Sequence, residues 1–264
     1  MTPAHSPAPG TAGPPAAGSS GPSASAAGYG PDLADVYDLV YAGRGKDYAA
    51  EAAEVVALIR ARRPAARSLL DVACGSGGHL GHFAAALGAA EGLELSAYMI
   101  DRARHRAPDL RVHHGDMRDF ALGRAYSAVT CMFSSIGYLP SAADLDGALA
   151  AFARHLEPGG VIVIEPWYTP DRFLPGYVAS DLVRTDERTV VRLSHSTRDG
   201  VHVPIIAHYL VADRAHGVHH FTDVHPMTLF TDAEYRAAFG RAGCAVAYVP
   251  SDRFPCGLYV GVRD

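Results

Sequence analysis

Five short apolar runs punctuate the middle of the chain, at 68–73, 91–95, 110–114, 126–132 and 161–165. Each is continuous rather than alternating, and each is too short for a helix. A strand buried on both faces reads this way, because neither face needs a polar side chain. The stretches at 78–87, 96–106 and 142–156 instead carry apolar residues at helical spacing. Strands alternating with helices require right-handed crossovers and hence a mostly parallel, doubly wound α/β sheet. Two helices come first. Pro31 opens one in which Leu33, Val36, Tyr37, Val40 and Tyr41 recur until Gly43-Arg-Gly45 breaks it. The second runs from Asp47 to about Arg62, with Ala52, Val55, Val56 and Ile59 inward and Pro64 beyond its end.

After Pro166 the period changes. Residues 178–230 read as alternating β segments, at 189–195, 204–211, 219–225 and 227–230, with no helical period. They predict an antiparallel β insertion, about 167–230, laid over the sheet. A helix follows at 231–242, with Thr231 as N-cap and Glu234 completing a capping box. Two last strands fit 244–249 and 257–262.

Composition matters most at the N-terminus. Residues 1–30 contain no Asp, Glu, Lys or Arg, and 25 of the 30 are Ala, Gly, Pro or Ser. Such a segment cannot offset its ordering entropy by apolar burial, and it lacks the basic start and apolar centre of a signal peptide. It predicts a disordered leader at 1–28 and one folded domain at 29–264. The net charge of −5 over 264 residues argues against nucleic acid or an anionic membrane as partner. No run of 18 apolar residues exists to span a bilayer. The cysteines at 74, 131, 244 and 256 form no CxxC pair and read as reduced thiols of a cytoplasmic protein.

The segment Asp71-Val-Ala-Cys-Gly-Ser-Gly-Gly78 stands where the first buried strand ends and a helix begins. Glycines there let the backbone approach a ligand, and the helix amides face it. The dinucleotide fingerprint is not met, since Leu80 takes the third glycine slot, which counts against a nicotinamide oxidoreductase. Glu94 closes the second strand, about 20 residues past the loop, where an acid accepts ribose hydroxyls. Asp116-Met117 closes the third, placed to bond an adenine amino group and cover its ring. Taken alone, Glu94 has a plainer explanation as a strand-end charge, and Asp116 as a turn acid. Glu157-Pro-Gly-Gly160 reads as a helix stop. Six of the 14 histidines lie between 202 and 225. No carboxylate or Cys completes a metal motif of fixed spacing with them, so they read as solvated or hydrogen-bonded rings and no metal is expected.

These elements, in this order, resemble a class I S-adenosylmethionine-dependent methyltransferase over 68–165. A narrower resemblance runs from about residue 29 to the end. It is carried by Tyr37-Asp-Leu39, Gly43-Arg-Gly-Lys-Asp-Tyr48, Leu69-Leu-Asp-Val-Ala-Cys-Gly75, Gly92-Leu-Glu-Leu-Ser96, Gly115-Asp-Met-Arg-Asp-Phe120, Met132-Phe-Ser-Ser-Ile-Gly137, Glu165-Pro-Trp167, Ser194-His-Ser196 and Gly257-Leu-Tyr259. These stretches look like the dTDP-amino-sugar N,N-dimethyltransferases of antibiotic deoxysugar pathways. The resemblance implies a seven-stranded Rossmann-like sheet with the last strand antiparallel, S-adenosyl-L-methionine as donor, a dTDP-linked 3-amino-3,6-dideoxy hexose as acceptor, and a homodimer. A dTDP-4-amino sugar or another small-molecule acceptor is the alternative. A non-catalytic donor-binding scaffold is a further reading, against which an intact substrate cleft argues.

The resemblance also places residues. Tyr29, on a short lid, and Tyr37 would lie near the donor. Ala73 and Gly75 would contact its amino-acid end, Glu94 its ribose, Asp116 and Met117 its adenine, and Met132 would lie beneath. Tyr29 is also the first aromatic of the chain, so order is expected to begin near it. Tyr138 stands at the mouth, where some relatives carry His. Tyrosine is a poor base with a pKa near 10, so catalysis by positioning is expected, with Tyr138 and Tyr29 as the catalytic pair. Substrate contacts are expected from Arg44 and Lys46, the only lysine, on a diphosphate, and from Trp167 and Tyr168 on a sugar or thymine face. His195 and Arg198 would reach in from the insertion. Family members carry Arg at the slot held here by Cys256, so either Arg253 substitutes or the ligand sits differently.

Overall fold

The computed structural model describes residues 29–264, and the expected leader at 1–28 lies outside them. Two helices open the described chain. Helix α1 (Pro31–Gly43) has its proline at the first turn, where the missing N–H costs nothing. Helix α2 (Tyr48–Arg62) is capped by Asp47, which accepts from the Ala50 amide. Strands β1 (Leu69–Val72), β2 (Ala90–Glu94), β3 (Val112–His114), β4 (Tyr126–Cys131) and β5 (Leu156–Ile164) then alternate with α3 (Leu80–Leu87), α4 (Ala97–Arg106) and α5 (Ala142–Arg154). A 3₁₀ turn, Ser135–Tyr138, follows β4. After the insertion come α6 (Asp232–Arg241), β10 (Cys244–Val249) and β11 (Leu258–Arg263).

The seven strands are ordered β10-β11-β5-β4-β1-β2-β3. Strand β11 runs antiparallel to both β5 and β10, while β5-β4-β1-β2-β3 are parallel. Helices α5 and α6 cover one face through Leu145, Phe152, Tyr235 and Phe239. Helices α2, α3 and α4 cover the other through Val55, Ile59, Phe83 and Ile100. The chain leaves β1 toward β2 on one side and returns to β4 on the other. The crevice outside the strand ends at such a switch point is where open α/β sheets bind ligands.

The insertion is a second, four-stranded antiparallel meander, β6 (Val178–Arg184), β7 (Arg188–Ser196), β8 (His202–Asp213) and β9 (Gly217–Thr228), in that spatial order. It rests at one end of the large sheet rather than on a face. Val190, Ala207, Tyr209 and Val211 pack on Leu33, Val36 and Val40 of α1. Met227 and Val203 pack with Tyr138 and Trp167, on the loops that leave β4 and β5. The small sheet therefore closes over the strand ends, with α1 between. Two local readings change. The segments at 219–225 and 227–230 merge into one strand, since Pro226 lies opposite Pro204 and neither has an N–H to lose to the other. Glu157-Pro-Gly-Gly160 does not stop a helix: α5 has already ended, and β5 bulges through these residues, with Tyr126 opposite Leu156 but Ala128 opposite Val161.

Candidate active site

A deep cleft opens outside the ends of β1, β2 and β4. All eight residues expected at the donor line it: Tyr29, Tyr37, Ala73, Gly75, Glu94, Asp116, Met117 and Met132. Tyr138 lines it as well. The loop after β1 turns sharply because Ala73, Gly75 and Gly77 adopt left-handed φ values of 56°, 55° and 75°. Such a turn is open to glycine and strained for the alanine.

Two carboxyls face this cleft from buried positions. Glu94 accepts from the amides of Gly75 at 2.9 Å, Leu95 at 2.9 Å and Ser96 at 2.8 Å, which hold its orientation. Burial raises its pKa and those amides oppose the rise. Asp71 accepts from Thr130 Oγ1 at 2.7 Å, and burial pushes its pKa up to about 6. Asp116 behaves differently. The Arg118 guanidinium forks onto it and holds its carboxyl below the usual range.

Aromatic rings form the mouth. Tyr29 meets Tyr37 edge-on at 5.6 Å between centroids, Tyr37 lies 4.7 Å from Tyr41, and Tyr41 lies 4.7 Å from Phe133. Ser96 Oγ donates to the Tyr29 carbonyl at 2.9 Å, pinning the start of the described chain over the cleft. The Tyr29 and Tyr138 hydroxyls are 2.9 Å apart, and the Tyr138 hydroxyl is 2.8 Å from His225 Nδ1. Burial raises the pKa of both tyrosines, so neither serves as a base near neutrality. Phe133 and Ser134, at φ of 56° and 57°, aim this turn. Glu165 accepts from the Phe133 amide at 2.6 Å, and Ser134 Oγ donates to the Pro166 carbonyl at 3.1 Å, which holds the strained backbone.

The expected substrate residues do not gather in this cleft. Lys46 is half-buried behind it, with Nζ 2.8 Å from Glu51 Oε2 and 3.8 Å from the Phe133 ring centre. Glu51 also pairs with His79 at 2.7 Å, so the lysine's charge is already matched. The Arg44 guanidinium is taken by Asp181. His195 points outward on β7, between buried Ser194 and Ser196. Arg198 donates to the Gly200 and Pro170 carbonyls. Arg253 lies 3.4 Å from Glu54 of α2, away from the mouth. Trp167 packs beside Tyr138 and lines a second cavity with Arg172, Asp232, Tyr248, Cys256 and Tyr259. Tyr168 stacks edge-on against Trp167 at 5.7 Å and is half-exposed.

Sequence reasoning missed four kinds of contributor. Asp71 and His79 lie within or beside the glycine loop, so the motif itself was the signal. Arg118 follows Asp116 by two residues. Arg172 donates to the Pro255 carbonyl at 3.1 Å and lines the second cavity with Cys256, which no local pattern announces. His225 read as one histidine among many and is in fact buried at the mouth. Among the described residues no group of three or more His, Cys, Asp or Glu could hold a metal ion.

A methyltransferase domain model matches residues 69–160. The dTDP-3-amino-3,4,6-trideoxy-alpha-D-glucopyranose N,N-dimethyltransferase of Streptomyces venezuelae is 56% identical, over 89% of this chain and 99% of that protein. The dTDP-3-amino-3,6-dideoxy-alpha-D-glucopyranose N,N-dimethyltransferase of Streptomyces fradiae is 52% identical, over 89% and 92%. The crystal structure of Streptomyces venezuelae DesVI superposes with a TM-score of 0.85, over 89% of this chain and 100% of that one. S-adenosylmethionine-bound CalS10, an amino pentose methyltransferase, superposes at 0.81 with 49% identity, over 87% and 97%. With a seven-stranded sheet of this order, a donor cleft at its switch point and identity of this extent, the chain belongs to the dTDP-amino-sugar N,N-dimethyltransferases, within the S-adenosylmethionine-dependent methyltransferases.

Proposed function

We propose that this chain dimethylates the amino group of a dTDP-linked 3-amino-3,6-dideoxy hexose in antibiotic sugar biosynthesis. The observation that carries this reading is the pairing of two buried carboxyls with an aromatic mouth around one cleft. Asp71 suits the ammonium of a donor that also bears a sulfonium charge, Glu94 suits its ribose, and the tyrosine rings attract the sulfonium through their faces. Bound there, S-adenosylmethionine supplies an electrophilic methyl group. Glu94 accepts the ribose hydroxyls, and Met117 with Asp116 receives the adenine. Arg118 engages both oxygens of Asp116 through its amide and guanidinium, so the adenine amino group takes the place of one of those bonds. Tyr138 orients the sugar amine, and Tyr29, Tyr37 and Phe133 exclude water. Displacement at a methyl carbon gains chiefly from such alignment, with no strong acid or base required.

The sugar nucleotide enters past Trp167. Arg172, in the second cavity with Cys256, is the cation placed for its diphosphate, in preference to Arg253, Lys46 or Arg44, whose charges are matched by carboxylates. The 3-amino position rests on the relatives at 56% and 52% identity, against 44% for the dTDP-4-amino-2,3,4,6-tetradeoxy-D-glucose N,N-dimethyltransferase of Saccharopolyspora spinosa. The chain acts as a cytoplasmic enzyme, in keeping with four free cysteines, and without a metal. No helix among the described residues is long and apolar enough to cross a membrane. Incubation with S-adenosylmethionine and a panel of dTDP-3-amino and dTDP-4-amino sugars tests the reading by mass. Gain of two methyl groups on a 3-amino sugar is expected. Gain only on 4-amino sugars shifts the regiochemistry, and no gain on any sugar overturns it.

A further inference from the structure

Tyr138 has one hydroxyl proton and two lone pairs, and it stands between two fixed partners, Tyr29 Oη at 2.9 Å and His225 Nδ1 at 2.8 Å. Behind His225 lies Asp223, whose Oδ2 is 3.4 Å from His225 Nε2. That oxygen is buried and has no hydrogen-bond partner. His225 is itself buried, at 9% exposure. Burial, with the nearby Arg192 charge, pushes its pKa down to about 4, so the ring is neutral and carries one N–H. Each ring nitrogen has an oxygen near it, Tyr138 Oη at Nδ1 and Asp223 Oδ2 at Nε2; burial raises the Asp223 pKa, and the Val224 amide and the Arg192 charge oppose the rise. A carboxylate oxygen accepts and cannot donate to a ring lone pair. The N–H therefore sits better on Nε2, where the Asp223 charge 3.4 Å away attracts it, although the two are not aligned as a hydrogen bond.

The rest of the chain of bonds follows from that proton. His225 Nδ1 is a lone pair, so Tyr138 donates to it. The Tyr138 proton is then spent, so Tyr29 donates to Tyr138. One lone pair of Tyr138 remains, on a residue that lines the donor cleft. We infer that His225, held in one tautomer by Asp223, is a positioning residue that makes Tyr138 a hydrogen-bond acceptor toward the sugar amine. The polarity matters for the reaction. An acceptor binds an amine N–H and leaves the nitrogen lone pair free to attack the methyl carbon. A donor at the same place would bind that lone pair and withdraw it. The opposite tautomer, with Nδ1–H pointing at Tyr138, frees the tyrosine proton to do that.

This inference rests on the methyl-transfer reading, and two measurements separate its failure from the failure of that reading. NMR of the full chain with nitrogen-labelled histidine, assigned by loss of one signal in His225→Asn, reports which ring nitrogen carries the proton without any sugar. Protonation of Nε2 is expected, and protonation of Nδ1 overturns the inference whatever the sugar panel shows. Steady-state kinetics on the sugar methylated in the panel form the second arm. Loss of one positioned hydrogen bond corresponds to roughly 10–100-fold in kcat, so His225→Phe and Tyr138→Phe should each lower kcat by about that factor. Donor affinity by calorimetry should stay unchanged, which also shows that each variant folds. His225→Asn can place its side-chain oxygen near the Nδ1 position and should recover most of the loss. The His225→Phe and Tyr138→Phe double variant should be no slower than Tyr138→Phe alone. An unchanged kcat in His225→Phe, or losses that multiply in the double variant, would overturn the inference.

Discussion

Asp71 is a buried acid at the end of β1, with Thr130 as its one hydrogen-bond donor and a pKa pushed up to about 6 by burial. In the donor-free protein this group favours the fold while protonated, and that contribution is lost as pH rises through about 6. A bound cation reverses the preference by stabilising the carboxylate. Donor binding near pH 6 should therefore release a proton, and affinity should fall on acidification below it, by at most about tenfold per pH unit. Calorimetry in two buffers of different ionisation heat reads both effects, and Asp71→Asn should remove them. At this scale the residues that line the cleft were legible, and most of those expected at the substrate do not reach it. Glu94, Asp116 and Met117 are read from their positions at strand ends, which the period of the sequence already marks. Lys46 and Arg44 sit in a glycine-flanked loop that looks free. Their carboxylate partners are Glu51 on α2 and Asp181 on β6, and only folding brings the latter close.

Helix α6 shows what an element can disclose about itself. Thr231 Oγ1 accepts from the Glu234 amide and Glu234 accepts from the Thr231 amide, the reciprocal box expected from four residues of sequence. Thr231→Ala should cost about 1 kcal/mol of stability in denaturant unfolding, with donor affinity unchanged. A cost near zero would mean that the packing of Tyr235 and Phe239 around Tyr259 holds the helix without its cap. The segment Glu157-Pro-Gly-Gly160 and the strand through Pro226 were misread for the opposite reason. Proline and glycine report local backbone freedom, but a bulge in β5 and a Pro–Pro pairing between β8 and β9 depend on the partner strand.

At the scale of the molecule, the small sheet has one face on α1 and another in solvent. Val178, Leu182, Leu193, Ile206 and Leu210 lie on that outer face and are exposed. Exposed apolar side chains grouped in this way, among Ser180, His195 and His208 of the same face, are characteristic of a protein interface, and we propose that they join two copies in a homodimer. Light scattering of the purified chain should give twice the chain mass, and Leu182→Glu with Leu193→Glu should give monomer. A wild-type monomer at micromolar concentration would sink the proposal. The order of strands and helices, the glycine turn after β1 and the acids at the strand ends are legible along the chain, because hydrophobic period, capping and backbone freedom act within a few residues. Tertiary structure alone decided where the small sheet rests, which cations are already paired, and the chain Tyr29–Tyr138–His225. Those hydroxyls and that ring are 109 and 87 residues apart, and packing of α1 and β9 around the end of β4 brings them within hydrogen-bond distance.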